Sequence, residues 1–424
     1  MAEYEKMVKK MAEKVLEQYG VVTIYRDEKH PAPTYHVEGR VQPNPYGKLA
    51  ALFEDDNLEE VMYNGGAQCV QVAHREHGMC RTNIWIDDEE GLTIAKNIAA
   101  FTNVPLGSGP NQVPLFDGRL PDGSRVNGTI PPVSPDGPTL TVRKFKEDPF
   151  TIVDLITFGT INLRLAAMMW IWIEGLDSRP ANFVLAGGTG SGKTTTVNCM
   201  GMFIPWDKRM LTVEDTAELQ LYHDHWLRME TRSERPDGTS EIDMNACLKS
   251  SLRMRPDRII VGEVRSSEAA TLLTAMNTGH DGSFGTLHAN TAAETVTRLI
   301  NPPMNVPSIM LGGLDLIIVQ ARLHENGKTA RKIIEVAEVA GMEGNKPRLN
   351  AIWKYDPVKC KIEETGIPSK FRETICTAAG ITPADFENHL KQRMQILADL
   401  VKRDIRDINT VTSVIQGFYA KLKK

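Results

Sequence analysis

The eleven-residue run AGGTGSGKTTT, Ala186 to Thr196, limits the fold more than any other stretch of this chain. The spacing Gly187-x-x-x-x-Gly192-Lys193-Thr194 is that of a loop that cradles phosphate groups. Such a loop belongs between a buried strand and a helix. ANFVLAG (Ala181–Gly187) supplies the apolar run of a buried strand, and KTTTVNCMGMF the start of a helix. Glycines let the backbone curl so that several N–H groups point inward, and a helix N-terminus adds positive potential. On this pattern Gly188, Thr189, Gly190, Ser191, Gly192, Lys193, Thr194 and Thr195 are expected to hold a nucleotide. Lys193 would reach the β- and γ-phosphates, and Thr194 would hold Mg²⁺ through its hydroxyl. The plain alternative is a glycine-rich turn before an ordinary helix.

Around the loop the chain alternates strand and helix. RMLTVED, LRMETR, RIIVGEV and SFGTLHA read as strands; IDMNACLKSSLRM and SEAATLLTAMNTG read as helices between them. This alternation predicts an α/β, doubly wound, parallel-rich sheet. In such a sheet ligands gather at the carboxyl ends of strands, so the polar residues there are the candidates for chemistry. RIIVGEV ends in Gly262-Glu263, where P-loop proteins place a carboxylate; a glycine stands where many carry aspartate, leaving Glu263 to orient Mg²⁺, water or both. MLTVED ends in Glu214 and Asp215, and Glu214 is the candidate water-activating base. The alternative there is a helix cap. SFGTLHA ends in His288, and with His280 just before the strand two histidines are expected near the γ-phosphate, although a lone histidine is more often structural. The strands LDLIIVQARL, ARKIIEVAEV and NAIWKYD follow, and the text from Ser369 onward is helical.

The first part of the chain reads differently. Tyr4, Met7, Met11 and Val15 repeat at helical spacing; strands with Asn-Gly and His-Gly turns follow, then the helix EGLTIAKNIAAF and, after a Gly/Pro-rich stretch, the strand TLTVRKF. Expected boundaries are an α+β N-terminal domain over 1–148, a P-loop α/β domain over 149–368 and a helical extension over 369–424 packed with it. Net charge is −5, and no basic stripe interleaves with aromatics, so stable nucleic-acid binding is not expected. Six cysteines are scattered without a Cys-x-x-Cys pair, which argues against zinc or a disulfide framework and for a reducing cytoplasm. The charged opening MAEYEKMVKK argues against a secretory signal, and the apolar run LAAMMWIWIEGL is too short to span a bilayer.

Four segments, GGTGSGKTT, TVEDTAELQL, RMRPDRIIVGEVR and TGHDGSFGTLHAN, stand in that order. Together they resemble the secretion ATPase superfamily of type II secretion, type IV pilus and archaellum machines: its Walker A, Asp box, atypical Walker B and His box. Gly262 is the usual form within that family. PLFDGRLPDGSRVNGTIPPVSPDGPTLTVRKF looks like the family's arginine-bearing N-terminal domain, and RLINPPMNVPSIMLGGLDLIIVQ looks most like archaeal members. The resemblance implies a RecA-like P-loop fold with a smaller α+β domain, and ATP hydrolysis in a homohexamer. It further implies that the subunit is bound to the cytoplasmic face of the membrane through a polytopic platform protein. It carries the arginines that approach the phosphates onto Arg119, Arg125 and Arg143, the two acidic positions onto Glu263 and Glu214, and the His-box histidines onto His288 and His280. Arg228 and Arg232 lie where related rings carry arginines near a subunit boundary. The hinge is expected at KEDPFT (146–151). The tetracysteine zinc insert of many bacterial members is absent from the text, so no metal beyond Mg²⁺ is expected. A ring-shaped nucleic-acid translocase is the alternative, since such rings share the core.

Overall fold

The computed structural model describes residues 14–26, 30, 32–38, 44–102, 104–110, 112–145, 149–232, 240–325, 328–344 and 346–422. They fall into two compact units, one up to Phe145 and one from Pro149 onward. Residues 146–148 of the expected hinge lie outside the described residues.

The first unit is built on a nine-stranded sheet of β1 (Lys14–Tyr19), β2 (Val22–Arg26), β3 (Thr34–Val37), β4 (Leu58–Asn64), β5 (Gln71–His74), β6 (Gly78–Thr82), β7 (Leu115–Arg119), β8 (Arg125–Thr129) and β9 (Thr139–Arg143). Their order across the sheet is β1-β2-β3-β6-β5-β4-β9-β8-β7, and β3–β6 is the parallel contact. A short helix, α1 (Ala50–Phe53), precedes β4. The longer α2 (Asp88–Phe101) starts where Asp87 accepts the Glu90 N–H at 2.8 Å, with Asp88, Glu89 and Glu90 complementing the positive helix end. Its buried stripe, Ile94, Ala95, Ile98 and Ala99, joins Val61, Tyr63, Leu140 and Val142 in one core.

The helical spacing read at the N-terminus does not extend past residue 13. Residues 1–13 lie outside the described residues, and Lys14–Tyr19 is a strand. Tyr19 pairs with Val22 across a two-residue turn in which Gly20 takes φ 51°. A glycine free to adopt positive φ closes this hairpin, and ladder hydrogen bonds then outweigh the local helical period.

The second unit holds α3 (Ile152–Thr157), α4 (Leu163–Glu174), β10 (Phe183–Gly187), α5 (Lys193–Gly201), β11 (Met210–Glu214), β12 (Trp226–Glu230), α6 (Met244–Ser251) and β13 (Arg258–Val264). It continues with α7 (Glu268–Asn277), β14 (Phe284–Leu287), α8 (Ala292–Ile300), β15 (Leu316–Glu325), β16 (Lys328–Glu343), β17 (Lys346–Asp356), β18 (Lys361–Glu364), α9 (Lys370–Ala379), α10 (Pro383–Lys402) and α11 (Ile408–Leu422). The sheet order is β12-β11-β13-β14-β10-β15-β16-β17-β18. β12 through β15 are parallel, and β16, β17 and β18 add an antiparallel wing. β18, an edge strand, gave no clear signal in the sequence.

The parallel strands inside the edge strand β12 are buried on both faces over most of their length, as helices on both sides require. Alternate residues enter different cores: Phe183, Leu185, Ile260 and Ile318 pack with α4 and the C-terminal helices, while Val184, Ala186, Val261 and Val319 pack with α6, α7 and α8. α4 is sunk deepest, every residue from Leu165 to Glu174 being buried. Trp170 donates its indole N–H to the Tyr419 hydroxyl at 2.6 Å, and Arg393 of α10 pairs with Glu174 inside the same contact. These two links fix the C-terminal helices onto the sheet.

Candidate active site

The phosphate-cradling pattern sits at the carboxyl end of β10, between that strand and α5. Gly190 and Gly192 take φ 70° and 92°, the left-handed region an inward-curling loop needs. Its tip is exposed at Thr189 and its base is locked from behind by Gln320. That side chain, 2% exposed, donates to the Ser191 carbonyl at 2.8 Å and accepts from the Thr196 hydroxyl at 2.7 Å. Arg331 Nε donates to the Gly190 carbonyl at 3.0 Å. A Cβ on Gly187 would stand 2.4 Å from the Gln320 carbonyl oxygen and 2.6 Å from Ser191 Oγ, so strand and loop meet too closely there for any side chain. Gly188 faces Asn290 of the His-box segment, and Thr195 is half-buried in the first turn of α5. Lys193 Nζ rests on the carbonyls of Gly187 and Gly188 at 2.7 and 3.2 Å. Burial holds its pKa below the usual lysine range, and the Glu263 carboxylate opposes that shift. Thr194 Oγ1 donates to Glu218 Oε2 at 3.4 Å.

Two strands over, β13 carries Gly262 and Glu263. Its register with β14 slips between Val261 and Val264, so these two residues form a bulge that re-aims the strand end. Glu263 pairs with Arg265 at 2.5 Å, and Arg265 with Asp215 at 2.9 Å. Glu214 ends the adjacent β11, 3% exposed. Its Oε1 accepts the backbone N–H groups of Glu218 and Leu219, each at 2.9 Å; its Oε2 is enclosed without a hydrogen-bond partner among the described residues. Burial raises its pKa above the ordinary carboxylate value, against the pull of those two amides. The glycine at 262 now has a physical reason. A Cβ there would stand 2.9 Å from Glu214 Cγ and 3.4 Å from its Cβ, so Glu214 fills the space a Walker B side chain would need.

His288 follows β14, which lies between β13 and β10, and so sits at the same edge as Lys193 and Glu263. The expectation that His280 joins it does not hold within this subunit. His280 precedes the amino end of β14, where its carbonyl accepts from Ser283 Oγ at 2.7 Å and the following Gly282 donates to Asn182, the residue before β10. The length of the sheet therefore separates it from the phosphate loop. Arg228 stacks over Trp226 at 4.6 Å and donates to the Leu219 carbonyl at 3.0 Å, bracing the loop after β11. Arg232 donates to the Ser240 carbonyl at 3.1 Å.

In the first unit the three expected arginines form a row. Arg119 is the cross-strand partner of Arg125, Arg125 of Arg143, and Arg143 of Glu60. Directly opposed residues share a face, with Cβ atoms roughly 5 Å apart, and like charges so placed repel. Glu60 offsets one end, at 4.0 Å from Arg143. Arg119 also lies over the Phe145 ring, 6.0 Å from its centroid.

Sequence reasoning missed Gln320 and Glu218. The signal for Gln320 was a polar residue directly after the apolar strand LIIV; Glu218 stood unremarked inside TVEDTAELQL.

A six-strand parallel core, with a phosphate loop on β10 and carboxylates on β11 and β13 at one edge, defines a RecA-like P-loop nucleotide-binding protein with a smaller α+β unit. More narrowly, the chain belongs to the family described as "Type II/IV secretion system protein", which matches residues 108–374. The uncharacterized protein MJ0781 of Methanocaldococcus jannaschii is 31% identical, over 92% of this chain and 77% of that protein. The conjugal transfer protein TrbB of Rhizobium radiobacter is 36% identical, over 72% of this chain and 91% of its own. Among solved structures, the ATPase DotB of Legionella pneumophila aligns over 90% of this chain and 94% of its own, with TM-score 0.49 and 16% identity. Among the described residues no helix is long and apolar enough to cross a membrane.

Proposed function

We propose that this chain is the subunit of a homohexameric motor that hydrolyses ATP to ADP and phosphate and powers assembly or retraction of a type IV pilus-like filament, or protein secretion. In this proposal it works in the cytoplasm, held at the membrane through a polytopic platform protein. The observation that carries the hydrolytic part is Glu214, a buried carboxylate with one oxygen anchored by two amides and the other enclosed and unpartnered among the described residues, at the edge where the phosphate loop lies. A base so held is fixed in direction, and its raised pKa suits proton abstraction from water. Family membership, with relatives named for conjugal transfer and secretion, supports the transport part.

The residues fit a magnesium nucleotide. The loop is built at positive φ, Lys193 supplies a partly desolvated cation, and Thr194 presents its hydroxyl to Glu218 in the segment after β11. Thr194 and Glu263 are the proposed residues to hold Mg²⁺, which neutralises phosphate charge when bound. Lys193 orients the phosphates, Glu214 takes the proton of the attacking water, and His288 reports the state of the phosphate. The arginine row Arg119, Arg125 and Arg143 is proposed to face the triphosphate, so that losing its terminal group weakens charge-assisted bonds and lets the domains rotate about 146–151. Domain limits of 1–148, 149–368 and 369–424 go with this proposal. The test is phosphate release from ATP and Mg²⁺ by the purified chain, alone and with its membrane partner. Turnover lost in Lys193→Ala and Glu214→Gln is the expected result; a wild-type chain that leaves ATP uncut in both settings sinks the proposal.

A further inference from the structure

In P-loop NTPases the metal is held by the loop's Ser/Thr and a strand-end aspartate, and a ligating group is typically oriented by a hydrogen-bonded carboxylate or carbonyl behind it. Here the position is Gly262, and the space beside it is occupied by Glu214. Glu263 and Asp215 both reach Arg265, at 2.5 and 2.9 Å, and Glu214 is turned onto backbone amides. The carboxylate that reaches Thr194 is Glu218, 3.4 Å from its hydroxyl oxygen.

We propose that Glu218 stands in for the missing strand-end aspartate, as the positioning residue that accepts a hydrogen bond from the Thr194 hydroxyl and so aims its oxygen at the metal bound with the nucleotide. This rests on the magnesium-nucleotide reading above. Three further contacts show that the meeting is built rather than incidental. The Glu218 backbone N–H is fixed on Glu214 Oε1 at 2.9 Å. The neighbouring Ala217 N–H is held by Glu230 Oε1 at 3.2 Å. Gln220 donates its backbone N–H to Asn198 Oδ1 at 2.9 Å, and Asn198 lies one turn beyond Thr194 on α5. The helix thus grips the loop with two side chains four residues apart on one face, and the grip sets Glu218 over Thr194. The same loop then does two jobs: its amides hold the proposed base and its side chain orients the proposed metal ligand.

A ligand-orienting partner of this kind typically contributes about 10–100-fold to metal affinity. The test is binding of a fluorescent ADP analogue to the full chain, once with saturating Mg²⁺ and once with EDTA. The ratio of the two affinities isolates the metal's contribution. Glu218→Ala, which keeps the backbone N–H that holds Glu214, is expected to lose roughly 10-fold or more of that ratio while its affinity in EDTA matches wild type. Asp224→Asn removes an exposed charge from the same segment between β11 and β12, at the amino end of β12 and away from Thr194, and is expected to keep the ratio. A Glu218→Ala chain with the full magnesium effect overturns the proposal, and so does an Asp224→Asn chain that loses as much. A wild-type chain that binds no ADP in either condition overturns the underlying nucleotide reading instead.

Discussion

Restoring the aspartate that many P-loop proteins carry at position 262 is expected to disable this one. Any side chain there places its Cβ 2.9 Å from Glu214 Cγ, against ordinary contacts of 3.4–4 Å, and 3.4 Å from Glu214 Cβ. The clashing atom is the middle of a side chain tied down at its end, not a loose tip. To swing away, Glu214 must give up two amide bonds to its carboxylate, each contributing about 1.5–3 kcal/mol. Shifting β11 from β13 is cheaper, about 1–3 kcal/mol for overpacking a dense core. Both routes move the carboxylate by a substantial fraction of an ångström, and misplacing a catalytic group by about 1 Å costs on the order of 10²-fold in rate. Gly262→Asp and Gly262→Ala should therefore lower ATP turnover by roughly 10²-fold, close to the effect of Glu214→Gln, with melting lowered by a few degrees at ~2–4 °C per kcal/mol. ADP binding should persist, because the phosphate loop sits two strands away on β10. Steady-state phosphate release, ADP titration and thermal unfolding check the three parts. A Gly262→Asp enzyme with wild-type turnover refutes the reasoning.

Three other expectations follow from the packing. Gln320→Leu removes both bonds behind the phosphate loop and leaves the Ser191 carbonyl and Thr196 hydroxyl buried, each at a cost of about 1–3 kcal/mol; weaker ADP binding and a lower unfolding midpoint should appear together. Because burial raises the Glu214 pKa and the proposed base role needs the ionised form, turnover should fall with decreasing pH at a value above the ~4.3 of an ordinary glutamate, a limb that a pH–rate profile should not show in the residual activity of Glu214→Gln. Arg393→Met strands the Glu174 carboxylate inside the contact between α4 and α10, at a cost of about 3–5 kcal/mol by denaturant unfolding, whereas adding Glu174→Leu should recover most of it.

Much of the second unit was legible because its signals are local. A strand buried on both faces is a continuous apolar run, so FVLAG and RIIV announced themselves, and the phosphate loop fixed what lies on either side of one of them. His280 was misplaced because proximity in sequence to His288 says nothing about which end of a strand each residue occupies; the strand carries them apart. The N-terminal helical period gave way at Lys14 for a related reason, since the partner that makes Lys14–Tyr19 a strand is β2 beyond a turn. β18 failed to register because a four-residue edge strand buries little and shows no strong pattern.

The amino-acid order by itself determined the parallel α/β core, the phosphate loop and the four motif segments, because periodicity, glycine placement and motif spacing are properties of neighbouring residues. Tertiary structure alone decided that Arg119, Arg125 and Arg143 stand in one row, that Gly262 is bare because Glu214 fills its place, and that Gln320 and Glu218 reach the loop from more than a hundred and more than twenty residues away. Those facts depend on strand register and on which side chain reaches a shared space first, and neither is written in the spacing of the residues that meet there.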